Sequence, residues 1–550
     1  MSYLSGSSPA TQESWEAEEG RYIGSSLGSL SHQQRMTLLL TLGLVTAIEI
    51  SNRISINVLL PDLQGNVAAD SDQVSWVVIL YNLGFLCSMA LASWMTRVIG
   101  ARMHLLLSIG LYSAGALGCV LSAHSLELLL ASRLVMGFGG GAFLVRTIIL
   151  AGLLFPGKAR LPAVTRLYFV LYSFLTTYPT AIGWITDEFH WNYAFLLDFP
   201  FLALGAYLTW KHVPKGQLFR RRYEGPVDVR GATLLIASLV CLQTATSRGE
   251  RDLWFESPWI GPALVAAALL FMAFLWRDSR PGNLSPVFHL RMIWRQEYLR
   301  VSFAVIMVIG AILGAALYVV PQYLRFVQDY SATQTGAFIS AYTFGLGCGA
   351  MMGLRVLIPR FGGPHTAAAG LILLTATCAS ILYIWTPTTP GIILGPALYL
   401  QGFSLGPALI GAANVATGQA ALVDLNDIST SYFFIRQLGN TFGVTAATVL
   451  FDHRMTLHSS RLLDVANRLD PIVGNTLSQY SSLIHRNGGG NSNPMLGGLQ
   501  LFQSNVITQS RLLSYIDIYF GLAVLAGLGL IFLAIGRIRH RPTRPFFHLW

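Results

Sequence analysis

Charge is scarce in this sequence. Only 11% of its 550 residues are Asp, Glu, Lys or Arg, whereas 53% are hydrophobic, and the mean hydropathy is +0.54. Soluble proteins carry about 25% charged residues, so water is excluded as the main solvent of this chain. No stretch the size of a soluble domain lies between the apolar runs, which indicates a single membrane domain.

Other common signatures are also missing. The five cysteines lie in apolar runs without CxxC spacing, which argues against disulfides and zinc and favours packing roles. The Ser-, Gly- and Glu-rich N-terminus does not resemble a signal peptide. No metal cluster or nucleophile–base set stands out, so we predict no enzyme, metal site or cofactor. The net charge of +10 belongs to residues at span ends, which argues against a nucleic-acid partner.

A glycine-rich run, Gly137–Gly141, lies inside an apolar stretch. It lacks the Lys–Ser/Thr ending of a phosphate-binding loop, and small residues let helix backbones approach closely. We therefore expect close helix packing here. The sequence therefore predicts no ATP site here.

About fourteen apolar runs, each near twenty residues, fill the chain from Met36 to Gly536. A hydrocarbon core about 30 Å thick needs roughly 20 residues per spanning helix, so the sequence predicts an all-α integral membrane protein with 14 transmembrane helices. The predicted spans are 36–60, 73–95, 103–123, 126–154, 162–185, 192–211, 230–247, 258–276, 299–321, 334–358, 365–386, 390–416, 430–450 and 513–536.

Lys and Arg concentrate in the loops that follow the even-numbered spans. Cytoplasmic loops carry this excess, so we predict that both termini are cytoplasmic. The odd-numbered loops, such as 61–72 and 187–191, are acidic or neutral. One even-numbered loop, 420–429, contains Asp424 and Asp427 but no basic residue.

Several motifs occur in a fixed order. Residues 57–61 read NVLLP, 73–77 read QVSWV and 133–139 read RLVMGFG; HWNYAFLLDFP follows at 190–200, PQYL at 321–324 and GNTFG at 439–443. Together they resemble the fourteen-span drug:proton antiporters of the major facilitator superfamily, especially the EmrB-like multidrug exporters of Gram-negative bacteria.

The resemblance implies a major facilitator fold with alternating access around a midplane cavity. It divides the chain into a flexible cytoplasmic tail (1–35), a six-helix bundle (36–211), a basic linker with two extra helices (212–298), a second six-helix bundle (299–536) and a basic tail (537–550). The second bundle would carry a long outer loop at 452–511. Leucines in that polar loop have rough helical spacing, which leaves a surface-lying or partner-binding helix and a solvated hairpin as alternatives.

The same resemblance implies export of small lipophilic toxic compounds by proton antiport across the bacterial inner membrane. A periplasmic adaptor (membrane fusion protein) and an outer-membrane channel would be possible partners. A proton-independent facilitator and a transport-dead membrane sensor or scaffold remain alternatives, because the chain departs from the family pattern. Asn52 stands where the family has a membrane Asp, and Asp198 replaces a family Asn near the outer end of span 6.

Gating motifs are altered as well. The family's cytoplasmic loop motif has lost its Gly and Asp at residues 93–100, which include Arg97, and the antiporter motif at 178–183 keeps Pro179 and Gly183. These residues and Gly137 are the candidates for conformational change.

Ionisable residues inside the spans are costly unless they pair or face a wet cavity. Glu49 and Arg53 lie four residues apart on one helix face; Glu49 is either a proton carrier that replaces the missing Asp or half of a permanent ion pair. Arg133 matches the family's membrane arginine, linked there to energy coupling. For Asp198, an outer proton-entry site competes with a solvated turn as the explanation. The remaining cavity or substrate candidates are Asn52, Asn57, Tyr178, Arg436, Gln437 and Asn440.

Overall fold

The computed structural model describes residues 30–66, 71–155, 159–213, 228–249, 252–280, 283, 287–288, 290–418, 425–465, 471–486 and 494–539. Within these ranges the regular elements are helical and no strand occurs, which confirms the all-α prediction. Helices suit a lipid bilayer because each one satisfies its backbone hydrogen bonds within its own segment.

The first group of helices precedes the second predicted bundle. They are α1 (His32–Asn66), α2 (Ser71–Ile99), α3 (Ala101–Leu121), α4 (Leu126–Gly140), α5 (Phe143–Leu154), α6 (Arg160–Glu188), α7 (Phe199–His212), α8 (Val229–Arg248) and α9 (Ile260–Asp278). A 3₁₀ segment, Trp191–Asp198, leads into α7.

The second group runs to the end of the described chain. It comprises α10 (Leu290–Arg295), α11 (Glu297–Phe326), α12 (Ala332–Met352), α13 (Ile358–Phe361), α14 (Gly363–Ile384), α15 (Gly391–Thr417), α16 (Leu425–Val465), α17 (Pro471–Arg486) and α18 (Pro494–Arg539). By length and composition alone, 11 helical segments of the described chain could cross a membrane. The number fourteen and the side of the termini stay predictions.

The same contacts recur in two halves of the molecule. In the first half α1 packs on α6, α2 on α4, and α3 on α4. In the second half α11 packs on α16, α12 on α15, and α14 on α15. The extra helices α8 and α9 pack on each other, and α8 also contacts α2. Each half is therefore a helix bundle with its own core, and the second repeats the contacts of the first.

Most contacts between the halves lie along two helix pairs. Helix α6 runs along α12 in an extensive contact, whereas α2 meets α16 over a smaller one. A Cβ on Gly183 would collide with the backbone of Ala332, and one on Gly336 would collide with the backbone of Pro179. The α6–α12 contact is thus a backbone-to-backbone approach that glycine permits.

Three boundaries differ from the sequence prediction. The tail predicted to end at residue 35 gives way to α1 at His32, because Ser31 and Gln34 form a capping box at 2.9 and 3.2 Å. The fourth span bends between α4 and α5, at Gly141 and Ala142. The sixth span opens in the 3₁₀ segment.

The described residues of the predicted outer region 452–511 are helical, which is the first of the two alternatives. Helix α16 continues to Val465, α17 forms a separate helix, and α18 already begins at Pro494. No Gly or Pro interrupts residues 452–465, so nothing stops α16 where its apolar part ends. Of the apolar residues whose spacing favoured a helix, Leu457, Leu462 and Leu463 belong to α16, whereas Ala466 and Leu469 lie outside the described residues. The tail beyond Arg539 also lies outside them.

Candidate functional site

A cavity of about 140 Å³ lies between the two halves. Helices of both halves line it, mostly with apolar and aromatic side chains. Its polar lining includes Arg53, Asn57, Arg133, Arg436, Gln437 and Asn440. Four residues predicted to line a cavity, Asn57, Arg436, Gln437 and Asn440, therefore do so. Asn52 and Tyr178 are absent from this lining and face Asp198 instead.

Glu49 and Arg53 form the ion pair that their spacing predicts. Arg53 Nε lies 3.1 Å from Glu49 Oε1, and the same oxygen accepts a hydrogen bond from the Tyr81 hydroxyl at 3.0 Å. Glu49 is fully buried behind Arg53 and does not line the cavity. Gly140 leaves room for it, because a Cβ there would lie 2.9 Å from Glu49 Cγ.

Arg53 also joins the two halves. Its Nη1 donates to Gln437 Oε1 of α16 at 2.6 Å, and its guanidinium lies 4.6 Å from the centre of the Phe85 ring. Asn57 makes a second link, from its Nδ2 to the carbonyl of Leu317 in α11 at 3.2 Å. Polar side chains of α1 thus hold both halves together at the cavity.

Arg436 carries a charge without a carboxylate partner. Among the described residues it makes no hydrogen bond or ion pair, and its guanidinium lies 5.2 Å from the Phe433 ring. Three arginines line the cavity, and no carboxylate of the described chain does. Even when Glu49 is counted against Arg53, the cavity keeps an excess of positive charge.

Asp198 lies in the interior of the first half. The expected solvated turn is wrong, because the side chain is 0% exposed. Its carboxylate accepts from the Tyr178 hydroxyl at 2.5 Å and from Asn52 Nδ2 at 3.1 Å. Asn52 Oδ1 in turn accepts from Arg133 Nη1 at 3.1 Å. The two positions at which this chain departs from the Asp and Asn of the resembled family are therefore hydrogen-bonded to each other.

Arg133 lies at the end of this chain of hydrogen bonds. It is fully buried, stacks over Tyr81 at 4.5 Å from the ring centre, and leaves Nε and Nη2 without partners among the described residues. It also lines the cavity. Through Asn52 it connects the cavity to Asp198.

Two contacts tie the halves together at the end predicted to lie outside. Asp62 of α1 pairs with Arg325 of α11 at 2.8 Å. Beyond the end of its span, Asp187 accepts from the backbone of Ala332 at 3.2 Å and from the hydroxyls of Ser331 and Thr333 at the start of α12. Partial burial raises the pKa of Asp187, but these hydrogen bonds outweigh it and lower the pKa below the usual value. The contact therefore holds above that lowered pKa and is lost only in stronger acid.

A second cavity of about 700 Å³ adjoins the first. The two share Val78, Asn82 and Val444 in their linings. Helix α8 contributes Gln243, Thr246 and Ser247 to the second cavity. Pockets that bind drug-sized ligands measure about 300–1,000 Å³, so the first cavity alone is too small for one, whereas the two together are large enough.

The comparisons with known proteins agree with this architecture. A family model described as Major Facilitator Superfamily matches residues 42–444. This chain belongs to that family. Its proteins are transporters, so the chain is a multi-pass membrane transporter, and its exporter relatives support a place in the bacterial inner membrane.

Two relatives are exporters or resistance proteins. The chain is 24% identical to the multidrug export protein EmrB of Haemophilus influenzae over 443 residues, which cover 79% of this chain and 84% of the relative. It is also 24% identical to the fatty acid resistance protein FarB of Neisseria gonorrhoeae over 439 residues, covering 77% and 82%.

Solved structures share the fold. A crystal structure of a peptide transporter, POT, in complex with sulfate matches with a TM-score of 0.61 at 13% identity, covering 94% of this chain and 97% of the other. At this identity the match supports the major facilitator fold alone.

The predicted gating residues of the transporter lie at helix contacts. Pro179 and Gly183 form the backbone approach to α12, and Gly137 packs against the backbone of Tyr81 in α2. This close packing is what the glycine-rich run predicted. The side chain of Arg97 lies outside the described residues, and the gating roles themselves stay predictions.

Proposed function

We propose that this transporter exports lipophilic compounds that carry an anionic or weakly acidic group, and that proton antiport drives the export. The observation that carries the substrate class is Arg436, a guanidinium without a carboxylate partner in a largely apolar cavity. An isolated charge is costly in such surroundings, and an anionic group would compensate it. The apolar body of the same molecule would extend into the second cavity.

The relatives support this class of substrate. EmrB is named for multidrug export and FarB for resistance to fatty acids, which combine an apolar chain with a carboxylate. Aromatic side chains beside Arg436, such as Tyr172 and Phe433, suit the apolar part of such a ligand. Binding would then need one ionic contact and a large apolar surface, which tolerates many substrates.

Two features support the proposal of proton coupling: the buried carboxylates of the first half, and a sequence without a nucleotide-binding loop. Glu49 and Asp198 lie fully buried in the first half, and each is linked to a cavity arginine, Glu49 directly to Arg53 and Asp198 through Asn52 to Arg133. Protonation of one of them would favour the return from the outward-facing to the inward-facing state. We propose transport, and no enzymatic activity, for this protein.

The test uses proteoliposomes with an acidic interior, in which molecules inserted inside-out would accumulate substrate. The probes are anilinonaphthalene sulfonate, a lipophilic anion at all working pH values, and ethidium, a lipophilic cation. We expect pH-dependent accumulation of the anion and little of the cation, compared with protein-free vesicles.

Arg436→Gln should weaken binding of the anion about 10- to 100-fold, since a charge-assisted hydrogen bond contributes about 1.5–3 kcal/mol. Arg300→Gln, an exposed arginine at the start of α11, is the matched control and should change nothing. Preference for ethidium, or an unchanged anion affinity in Arg436→Gln, would contradict the proposed substrate class. Probe movement that does not depend on the pH gradient would favour a proton-independent facilitator. Binding of the probe without any transport would favour a sensor.

The outer helical region is proposed as the contact for a periplasmic adaptor and, through it, an outer-membrane channel. Large apolar side chains are exposed on α17 and at the start of α18, among them Leu483, Leu496 and Leu499. Replacing these three by Ser should reduce export by intact cells while proteoliposome transport stays normal. Normal export by cells carrying the triple variant would contradict an adaptor at this surface.

A further inference from the structure

The first half buries two carboxylates whose partners differ in charge. Glu49 is held by the guanidinium of Arg53 and the hydroxyl of Tyr81. Asp198 is held by the Tyr178 hydroxyl and the Asn52 amide, both neutral, and it forms no ion pair with any described residue. Only the first carboxylate has a cation to compensate it directly.

The surroundings of Asp198 contain few other ionisable groups. Helix α6 contributes Tyr178 and α3 contributes Tyr112 and Cys119, all neutral in a buried site. Helix α4 contributes Arg133, which reaches Asp198 through the Asn52 amide. An ionised Asp198 would thus lie in an apolar interior, separated from its nearest cation by an amide side chain.

We propose that Asp198 binds the transported proton, whereas Glu49 stays ionised as the permanent partner of Arg53. This inference rests on the proposed proton coupling and names the group that performs it. A buried carboxylate without a cation in contact is stabilised by taking up a proton, because protonation removes the charge. A buried carboxylate bonded to a guanidinium gains nothing comparable, because protonation would leave the guanidinium uncompensated.

The proton would add to an Asp198 carboxylate oxygen and later leave from it, with no other covalent change. Asn52 would transmit the effect of the bound proton from Asp198 to Arg133. While Asp198 is ionised, Asn52 is fixed by donating to Asp198 and accepting from Arg133. Protonation weakens the first contact and so loosens the position of Asn52 and of the Arg133 side chain bonded to it. Arg133 and Asn52 are therefore positioning residues, through which the proton alters the packing between α1, α4 and the 3₁₀ segment.

The direct test is infrared spectroscopy of the purified protein in lipid, recorded as a difference between acidic and neutral pH. A protonated carboxyl group has a carbonyl-stretch band that an ionised one lacks. We expect the intact chain to show a titrating band that Asp198→Asn loses and that the matched variant Glu49→Gln keeps. Asp198→Glu, which restores a carboxyl group, should show the band again and guards against loss through misfolding.

A second measurement compares transport in the same variants. In Asp198→Asn, a pH gradient should no longer stimulate transport of anilinonaphthalene sulfonate, so that the rates with and without the gradient are about equal. Exchange of the probe without a gradient should persist. A band or a gradient response that survives in Asp198→Asn, or a band that disappears in Glu49→Gln, would overturn the assignment. If the intact chain itself shows no gradient response, the proposed function fails, and the infrared band still decides whether Asp198 titrates.

Discussion

At the scale of single residues, the contact between Arg53 and Gln437 is the most direct link between the halves at the cavity. The 2.6 Å hydrogen bond crosses from α1 to α16, and Gln437 Nε2 also lies 3.4 Å from Asn82 Oδ1 of α2. One side chain of the second half is thus held by two helices of the first. Movement of the halves must break these bonds.

Gln437→Glu tests this link. A carboxylate would turn the hydrogen bond to Arg53 into an ion pair, which adds the attraction between two opposite charges. We expect exchange of anilinonaphthalene sulfonate across proteoliposomes to slow about tenfold, since about 1.4 kcal/mol corresponds to a factor of ten. Gln437→Met, which removes the bond at similar volume, should not slow exchange, and equal slowing by both variants would contradict a role for the bond.

The predictability of this site differed from residue to residue. The Glu49–Arg53 pair follows from i,i+4 spacing on one helix, so the sequence alone predicts it. The partners of Asp198 come from α1 and α6, 146 and 20 residues away in the chain, and no local pattern reveals them. The available signal was that Asp198 lies inside an apolar run. Its position near the end of that span made a solvated turn an equally simple explanation.

At the scale of helices, the pair α6 and α12 determines how closely the halves approach. Gly183 and Gly336 allow backbone contact there, and Asp187 joins the start of α12. The equivalent contact of α2 with α16 is smaller, and the larger cavity lies between those two helices and α8. The two pairs therefore differ in packing although they occupy equivalent places in the repeat.

Gly183→Ala should destabilise this contact, because the added Cβ would meet backbone atoms that cannot rotate away. Overpacking of this kind costs about 1–3 kcal/mol, which should lower the thermal unfolding temperature of the purified protein. The matched control is Gly110→Ala in α3, where a Cβ would meet no atom within 4 Å. Equal unfolding temperatures for the two variants would contradict the close α6–α12 approach.

Helix positions were predictable where apolar residues marked them and not where helices were polar. Hydropathy located each span to within a few residues, but it ended α16 near residue 450 and began α18 near residue 513. The missing part of α16 is polar and lacks Gly and Pro, so composition hides it while local propensity allows it. The missing part of α18 contains Gly497 and Gly498, which argue against a helix in the sequence although the helix forms. The bend between α4 and α5 likewise needed the packing of neighbouring helices to become visible.

At the scale of the whole molecule, two helix bundles surround a positively charged cavity, and a buried carboxylate of the first bundle is the proposed proton site. The family and the fold follow from motif order and are supported by the match over residues 42–444. The charge of the cavity depends on Arg53, Arg133 and Arg436, which come from three helices. Their convergence, and the absence of a lining carboxylate in the described chain, could not be predicted from the separate spans.

Coupling between substrate and proton is tested most directly by measuring proton movement that a substrate gradient drives. Proteoliposomes enclosing a pH-sensitive dye start with equal pH on both sides and receive a gradient of anilinonaphthalene sulfonate. We predict that the probe moving inward drives protons outward, so that the interior becomes alkaline, and that Asp198→Asn abolishes this change. Movement of the probe without any change of internal pH would contradict proton antiport.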